Sequence, residues 1–160
     1  MGDFAEDIKD VIVWDKGSGQ PSMHEKVLNS CFELILILEN DKKRGRMIQG
    51  ARFERGSMGN IIRVPRGRGI DKTHAASFPD KLVRTLIRAF SEKGDLIYDP
   101  FVGTGTTAVS AMETERRFIG SELQKEYCDI AEQRIRKAHL PLLIDHCEER
   151  GSREKDNHKK

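Results

Sequence analysis

The residues of this 160-residue chain whose types and spacing carry chemistry are Asp99, Gly103, Gly105, Thr106, Thr107 and Glu122. The first five lie in the run Asp99-Pro100-Phe101-Val102-Gly103-Thr104-Gly105-Thr106-Thr107. Its glycines let the backbone approach a ligand closely or take positive φ. Thr106 and Thr107 suit the first turn of a helix, where free N–H groups and the dipole favour an anion. Glu122 follows fifteen residues past Thr107. A carboxylate at the tip of the strand after a glycine turn is placed to accept hydrogen bonds from a ribose diol. The chemistry is nucleotide binding. Ala108 stands where the dinucleotide fingerprint G-x-G-x-x-G has its third glycine, so that fingerprint is not met, although its tolerated Ala variant keeps a NAD-dependent enzyme open. The lesser alternatives are a structural turn carboxylate for Asp99 and a surface acid for Glu122.

These residues need a β-turn-α-β frame. Leu96 to Tyr98 read as a short buried strand that Pro100 stops, since proline has no N–H for the ladder. A helix is expected over 107–115 and a second strand over 117–122. Upstream, Leu82, Val83, Leu86, Ile87 and Phe90 line one face of an amphipathic helix, with Pro79 and Asp80 in its first turn and Gly94 just past its end. Downstream, Tyr127, Ile130, Ala131, Arg134, Ile135 and Ala138 follow helical spacing, and 140–144 reads as a short edge strand. Near the N-terminus, Val11-Ile12-Val13-Trp14 is a strand ended by a turn over 15–21. Phe32 to Leu38 is the most apolar stretch and reads as a fully buried strand. Strand, loop, strand predicts an antiparallel pair.

Charge is unevenly distributed. The formal net charge is only +2, but residues 41–70 alone carry +7, from Lys42, Lys43, Arg44, Arg46, Arg52, Arg55, Arg63, Arg66 and Arg68 against Asp41 and Glu54. Six of the fourteen glycines lie there too. A mobile loop following a phosphate backbone fits this composition, and so does a solvated charged loop without a partner. A short strand is expected over 60–64. Cys31, Cys128 and Cys147 form no C-x-x-C pair, which argues against a zinc site or disulfide framework and for a reduced, cytoplasmic setting. No apolar run approaches transmembrane length. Residues 148–160 are nearly all polar and are expected to be disordered.

The glycine turn, together with Arg116-Arg117-Phe118-Ile119-Gly120-Ser121-Glu122 and Tyr127-x-x-Ile130-Ala131-x-x-Arg134-Ile135, closely resembles the amino-methylating DNA methyltransferases. These act on N6 of adenine or N4 of cytosine with S-adenosylmethionine. The resemblance covers most of residues 10–138 and is most specific over 73–138. It implies an α/β, Rossmann-like methyltransferase fold in three parts. The strand pair occupies 1–40, a target-recognition-like loop contacting double-stranded DNA occupies 41–72, and the cofactor-binding part occupies 73–147. Under it, Gly103, Gly105, Thr106 and Thr107 receive the methionine carboxylate. Asp99 orients the turn and balances the ammonium, Phe78 and Phe101 offer π surface, and Glu122 holds the ribose. Trp14-Asp15-Lys16 and Glu33 match family elements on the strand pair, although Trp14 reads equally as a core aromatic. His74, taken alone, reads as a capping or surface histidine.

The family prepares its acceptor nitrogen with Asp, Asn or Ser followed by Pro-Pro and an aromatic, which grip the flipped-out base. The five prolines here, Pro21, Pro65, Pro79, Pro100 and Pro141, include no such pair. The Pro-Cys dipeptide of cytosine-C5 methylation is absent too. The order of motifs resembles the class with its catalytic tetrapeptide ahead of the strand pair. The expectation is therefore the C-terminal part of a methyltransferase, its central strands missing and none of its own residues catalytic. It would be completed by a second chain or upstream coding sequence, or be a binding remnant without turnover. Unpaired sheet edges would leave it marginally stable, rearranged or associating.

Overall fold

A computed structural model describes residues 7–20, 26–39, 47–66 and 78–138. Lys42, Lys43, Arg44, Arg46, Arg68, His74, Cys147, the strand expected over 140–144 and the polar tail lie outside the described residues. The chain divides into two compact units, Met1–Glu92 and Lys93–Lys160.

The first unit holds β1 (Ile8–Gln20), β2 (Ser30–Leu38), β3 (Ile61–Arg63) and α1 (Asp80–Phe90). Its sheet runs β2-β1-β3. The expected antiparallel pair is present, with Val13 opposite Leu34 and Trp14 opposite Glu33. The short strand inside the basic segment is also present, parallel to β1. Two expectations are corrected. β1 does not stop at Asp15. The Gly17 N–H donates to the Asp15 carboxylate at 2.7 Å, Gly17 takes a φ of 75°, and the ladder resumes at Gln20 opposite Ser30 after an irregularity in register. β2 is not buried on both faces. It is the end strand, and alternation leaves Phe32, Leu34, Leu36 and Leu38 48 to 58% exposed, while Glu33, Ile35 and Ile37 face inward.

The core of this unit forms around Trp14, 1% exposed, with Val64 and Leu82, and Ile35, Ile62 and Leu86 against them. The Trp14 indole N–H donates to the Val64 carbonyl at 2.8 Å, which satisfies its one polar group. Trp14 is thus the core aromatic of its unit. Replacing it with alanine removes the largest side chain buried there and leaves the Val64 carbonyl unpaired. The expected cost is about 3–5 kcal/mol, read from denaturant unfolding. Across the β1–β2 pair the buried Lys16 ammonium lies 3.3 Å from a Glu33 carboxylate oxygen and 3.4 Å from the Ser30 hydroxyl. α1 begins after Pro79, carries Asp80 in its first turn and buries Leu82, Ile87 and Ala89. It stops at Phe90, where the Ser91 hydroxyl donates to the Ile87 carbonyl. Gly94 is therefore not its cap. It turns the chain into the next strand, its N–H donating to the Glu115 carbonyl at 2.8 Å.

The second unit holds β4 (Leu96–Asp99), α2 (Thr106–Glu113), β5 (Arg117–Gly120) and a helical run over 125–138, here α3. β4 and β5 are parallel, Leu96 opposite Arg117 and Asp99 opposite Gly120. β4 is half-exposed rather than buried, because Leu96 and Tyr98 point to its open face. α2 packs through Ala108, Val109 and Ala111 and ends two residues short of the expected 115. The less exposed face of α3 contains Tyr127, Ile130, Ala131, Arg134, Ile135 and Ala138, as the spacing predicts, together with Cys128. No helix among the described residues is long and apolar enough to cross a membrane.

Candidate functional site

The turn between β4 and α2 is held by a closed set of hydrogen bonds. The Asp99 carboxylate accepts the Phe101 N–H at 2.9 Å, so Asp99 shapes the chain just past Pro100. The Val102 N–H donates to the Ser121 carbonyl, and the Ser121 N–H to the Asp99 carbonyl, both at 3.0 Å. The Ser121 hydroxyl donates to the Pro100 carbonyl at 2.9 Å. Gly105 takes a φ of 87° just before α2, and its N–H donates to Val102 at 2.9 Å. The Gly105 carbonyl then accepts the Val109 N–H at 3.0 Å. The N–H groups of Thr106 and Thr107 meet no acceptor among the described residues, as a helix start requires. A helix start with open N–H groups of this kind can receive an anion.

Glu122 is not the last residue of β5, which ends at Gly120. It lies two residues beyond and reaches back to the turn. One carboxylate oxygen accepts the Gly103 N–H at 2.8 Å and the other the Gln124 N–H at 2.9 Å. These two N–H groups, Gln124 first, hold its carboxyl below the ordinary 4.5. Each oxygen keeps a lone pair for a further donor, such as a sugar hydroxyl. The Phe101 ring beside the turn is 84% exposed.

The structure thus brings Asp99, Phe101, Gly103, Gly105, Thr106, Thr107 and Glu122 together on one turn. Phe78 belongs to the first unit, where its half-exposed ring lies 5.9 Å from Trp14, centroid to centroid. One residue was missed. The Arg134 guanidinium on α3 donates to the Thr104 carbonyl at 2.7 Å and lies 3.2 Å from the Thr106 hydroxyl. Its signal in the sequence was a cation on an otherwise largely apolar helix face. Among the described residues no group of three or more His, Cys, Asp or Glu is placed to hold a metal.

Three of the four described arginines of the basic segment have acidic neighbours that composition did not reveal. Arg63 pairs with Asp15 at 2.7 Å, Arg52 with Glu92 at 2.7 Å, and Arg66 stands 3.9 Å from Glu33. The Arg63 guanidinium, first of several causes, holds the Asp15 carboxyl below its ordinary range. Arg55 is exposed.

A parallel β-α-β unit with open N–H groups at its helix start, and a carboxylate just past the second strand, is the arrangement that nucleotide-binding α/β folds use. The chain belongs to the N6/N4 DNA methylase family, whose profile, described as DNA methylase, matches residues 3–133. Orphan methyltransferase M.BamHII of Bacillus amyloliquefaciens is 46% identical over 83 residues, covering 48% of this chain and 31% of that protein. Type II methyltransferase M.Cfr9I of Citrobacter freundii is 31% identical over 132 residues, 78% of this chain and 43% of that protein. The crystal structure of the M1.HpyAVI–SAM complex shares the fold, with a TM-score of 0.60 and 24% identity over 79% of this chain and 61% of that one. The chain spans less than half the length of either curated relative.

Proposed function

We propose that these residues are the S-adenosylmethionine- and DNA-binding part of an adenine-N6 or cytosine-N4 DNA methyltransferase. The motif that prepares the acceptor nitrogen then comes from polypeptide outside these 160 residues. The observation that carries the reading is the turn itself, with Glu122 bonded to Gly103 at one limb and the free N–H groups of Thr106 and Thr107 at the other. These groups fit the ligand's two ends, ribose hydroxyls at Glu122 and a carboxylate at the helix start. The exposed Phe101 ring gives π surface for a sulfonium or adenine, and Phe78 is offered for the same role. When bound, the cofactor supplies an electrophilic methyl group. The residues here hold and orient it.

The open strand faces support the need for further polypeptide. The apolar row Phe32, Leu34, Leu36 and Leu38 on one face of β2, and Leu96 and Tyr98 on one face of β4, are surfaces that a packed layer of further polypeptide covers in an α/β fold. For DNA, solvent screens surface ion pairs such as Arg63–Asp15 and Arg52–Glu92, so a phosphate exchanges readily for the carboxylate. Lys42, Lys43, Arg44, Arg46, Arg66 and Arg68 are assigned to the same backbone contact. Arg55→Ala is expected to weaken duplex binding uniformly across sequences and to lower the log–log salt slope by about 1.

The test is transfer of labelled methyl groups to unmethylated duplex DNA. The 160 residues alone are expected to transfer none. Addition of a polypeptide carrying Asp/Asn/Ser-Pro-Pro-aromatic and its flanking strands is expected to restore transfer. Turnover by the chain alone contradicts the proposal of incompleteness. Cofactor binding with no transfer under any complementation favours a binding remnant.

A further inference from the structure

We infer that Arg134 is a positioning residue for the carboxylate end of the cofactor, an inference that rests on the S-adenosylmethionine reading. Three observations converge on one limb of the turn. First, α3 lies directly against it, since a Cβ built on Gly105 would stand 2.9 Å from the Ala131 Cβ, and Ala131 is buried. Second, one helical turn later on the same face, the half-buried Arg134 guanidinium reaches three oxygens. These are the Thr104 carbonyl at 2.7 Å, the Thr106 hydroxyl at 3.2 Å and the Thr104 hydroxyl at 3.3 Å, all approached by one nitrogen. Third, the opposite limb carries the opposite charge, with Glu122 bonded to the Gly103 N–H.

The turn is therefore polarised. Arg134 fixes the Thr104 carbonyl, and with it the path of the chain into α2, so that the Thr106 and Thr107 N–H groups are held where an anion meets both. Its charge adds to the positive end of the helix dipole, whereas Glu122 repels an anion from the Gly103 limb. A ligand with a carboxylate at one end and a diol at the other can then bind in one direction only. Lysine carries the charge but not the planar, pre-organised guanidinium.

The test compares S-adenosylmethionine with decarboxylated S-adenosylmethionine, which lacks only the carboxylate, by calorimetry on the 160-residue chain. The unsubstituted chain is expected to prefer S-adenosylmethionine. Arg134→Ala should reduce that preference roughly tenfold, a change of about 1.4 kcal/mol, through weaker binding of S-adenosylmethionine alone. Arg134→Lys should recover part of it. Equal loss for both ligands, or an unchanged preference, overturns the positioning role. So does the absence of any preference in the unsubstituted chain. If the unsubstituted chain binds neither ligand, the cofactor reading itself fails, which is a separate result.

Discussion

Gly105→Val should unfold the turn of the second unit and abolish binding of S-adenosylmethionine. Two costs add at this position. Gly105 has a φ of 87°, a region where a β-branched residue is a steric outlier, and left-handed backbone costs an L-residue about 1–2 kcal/mol. The added Cβ would also stand 2.9 Å from the Ala131 Cβ and 3.0 Å from its Cα, so α3 has to move. Crowding of that kind typically costs about 1–3 kcal/mol. Together they approach the whole stability of a marginal unit. Gly94→Val, in the same unit, separates the two contributions. Gly94 has a φ of 86° but nothing within 4 Å of a built Cβ, so only the backbone cost applies, and cofactor binding should survive. Thermal unfolding followed by circular dichroism, with a ligand titration of each variant, reads both effects. A Gly105→Val chain that binds as the unsubstituted one does would show that α3 does not pack on the turn.

Glu122→Ala is expected to weaken S-adenosylmethionine binding about 100-fold. Hydrogen bonds to a charged group are stronger than neutral ones, and this carboxylate both closes the turn on Gly103 and Gln124 and is assigned the ribose. The pH dependence has a definite sign. The folded pKa lies below the ordinary 4.5, so the stabilisation is complete above that value and is lost as pH falls through the depressed pKa. Affinity and stability should hold level from neutral pH down to about 5 and fall only in more acid solution. Glu122→Gln should lower the plateau and remove that acid step. A step near pH 6 to 7 would point to a different titrating group.

What the sequence made legible was mostly local. Pro100, the glycines and the paired threonines specify a strand stop, a turn and a helix start within about ten residues, and each appears where expected. The amphipathic helix follows from periodicity, and the antiparallel pair from the order strand, loop, strand. Burial was less legible, because an apolar run such as 32–38 announces a strand but not its neighbours. One face of β2 is uncovered, so Phe32 and the alternate leucines lie exposed. The continuation of β1 past Asp15 depends on a bulge at Gly17 that reads in sequence as a turn. Long-range partners were not legible at all. Asp15 is 48 positions from Arg63, and Thr104 is 30 from Arg134. Residue type alone cannot show that an arginine in a basic stretch already faces a carboxylate, or that a helix arginine reaches back to a turn.

The central claim is that the turn from Asp99 to Thr107, with Glu122, is a site for S-adenosylmethionine. Its most direct test is an isothermal titration of the 160-residue chain with S-adenosylmethionine, repeated in the presence of excess NAD. One saturable site unaffected by NAD is the predicted result. No heat of binding with S-adenosylmethionine, or its displacement by NAD, would contradict the account.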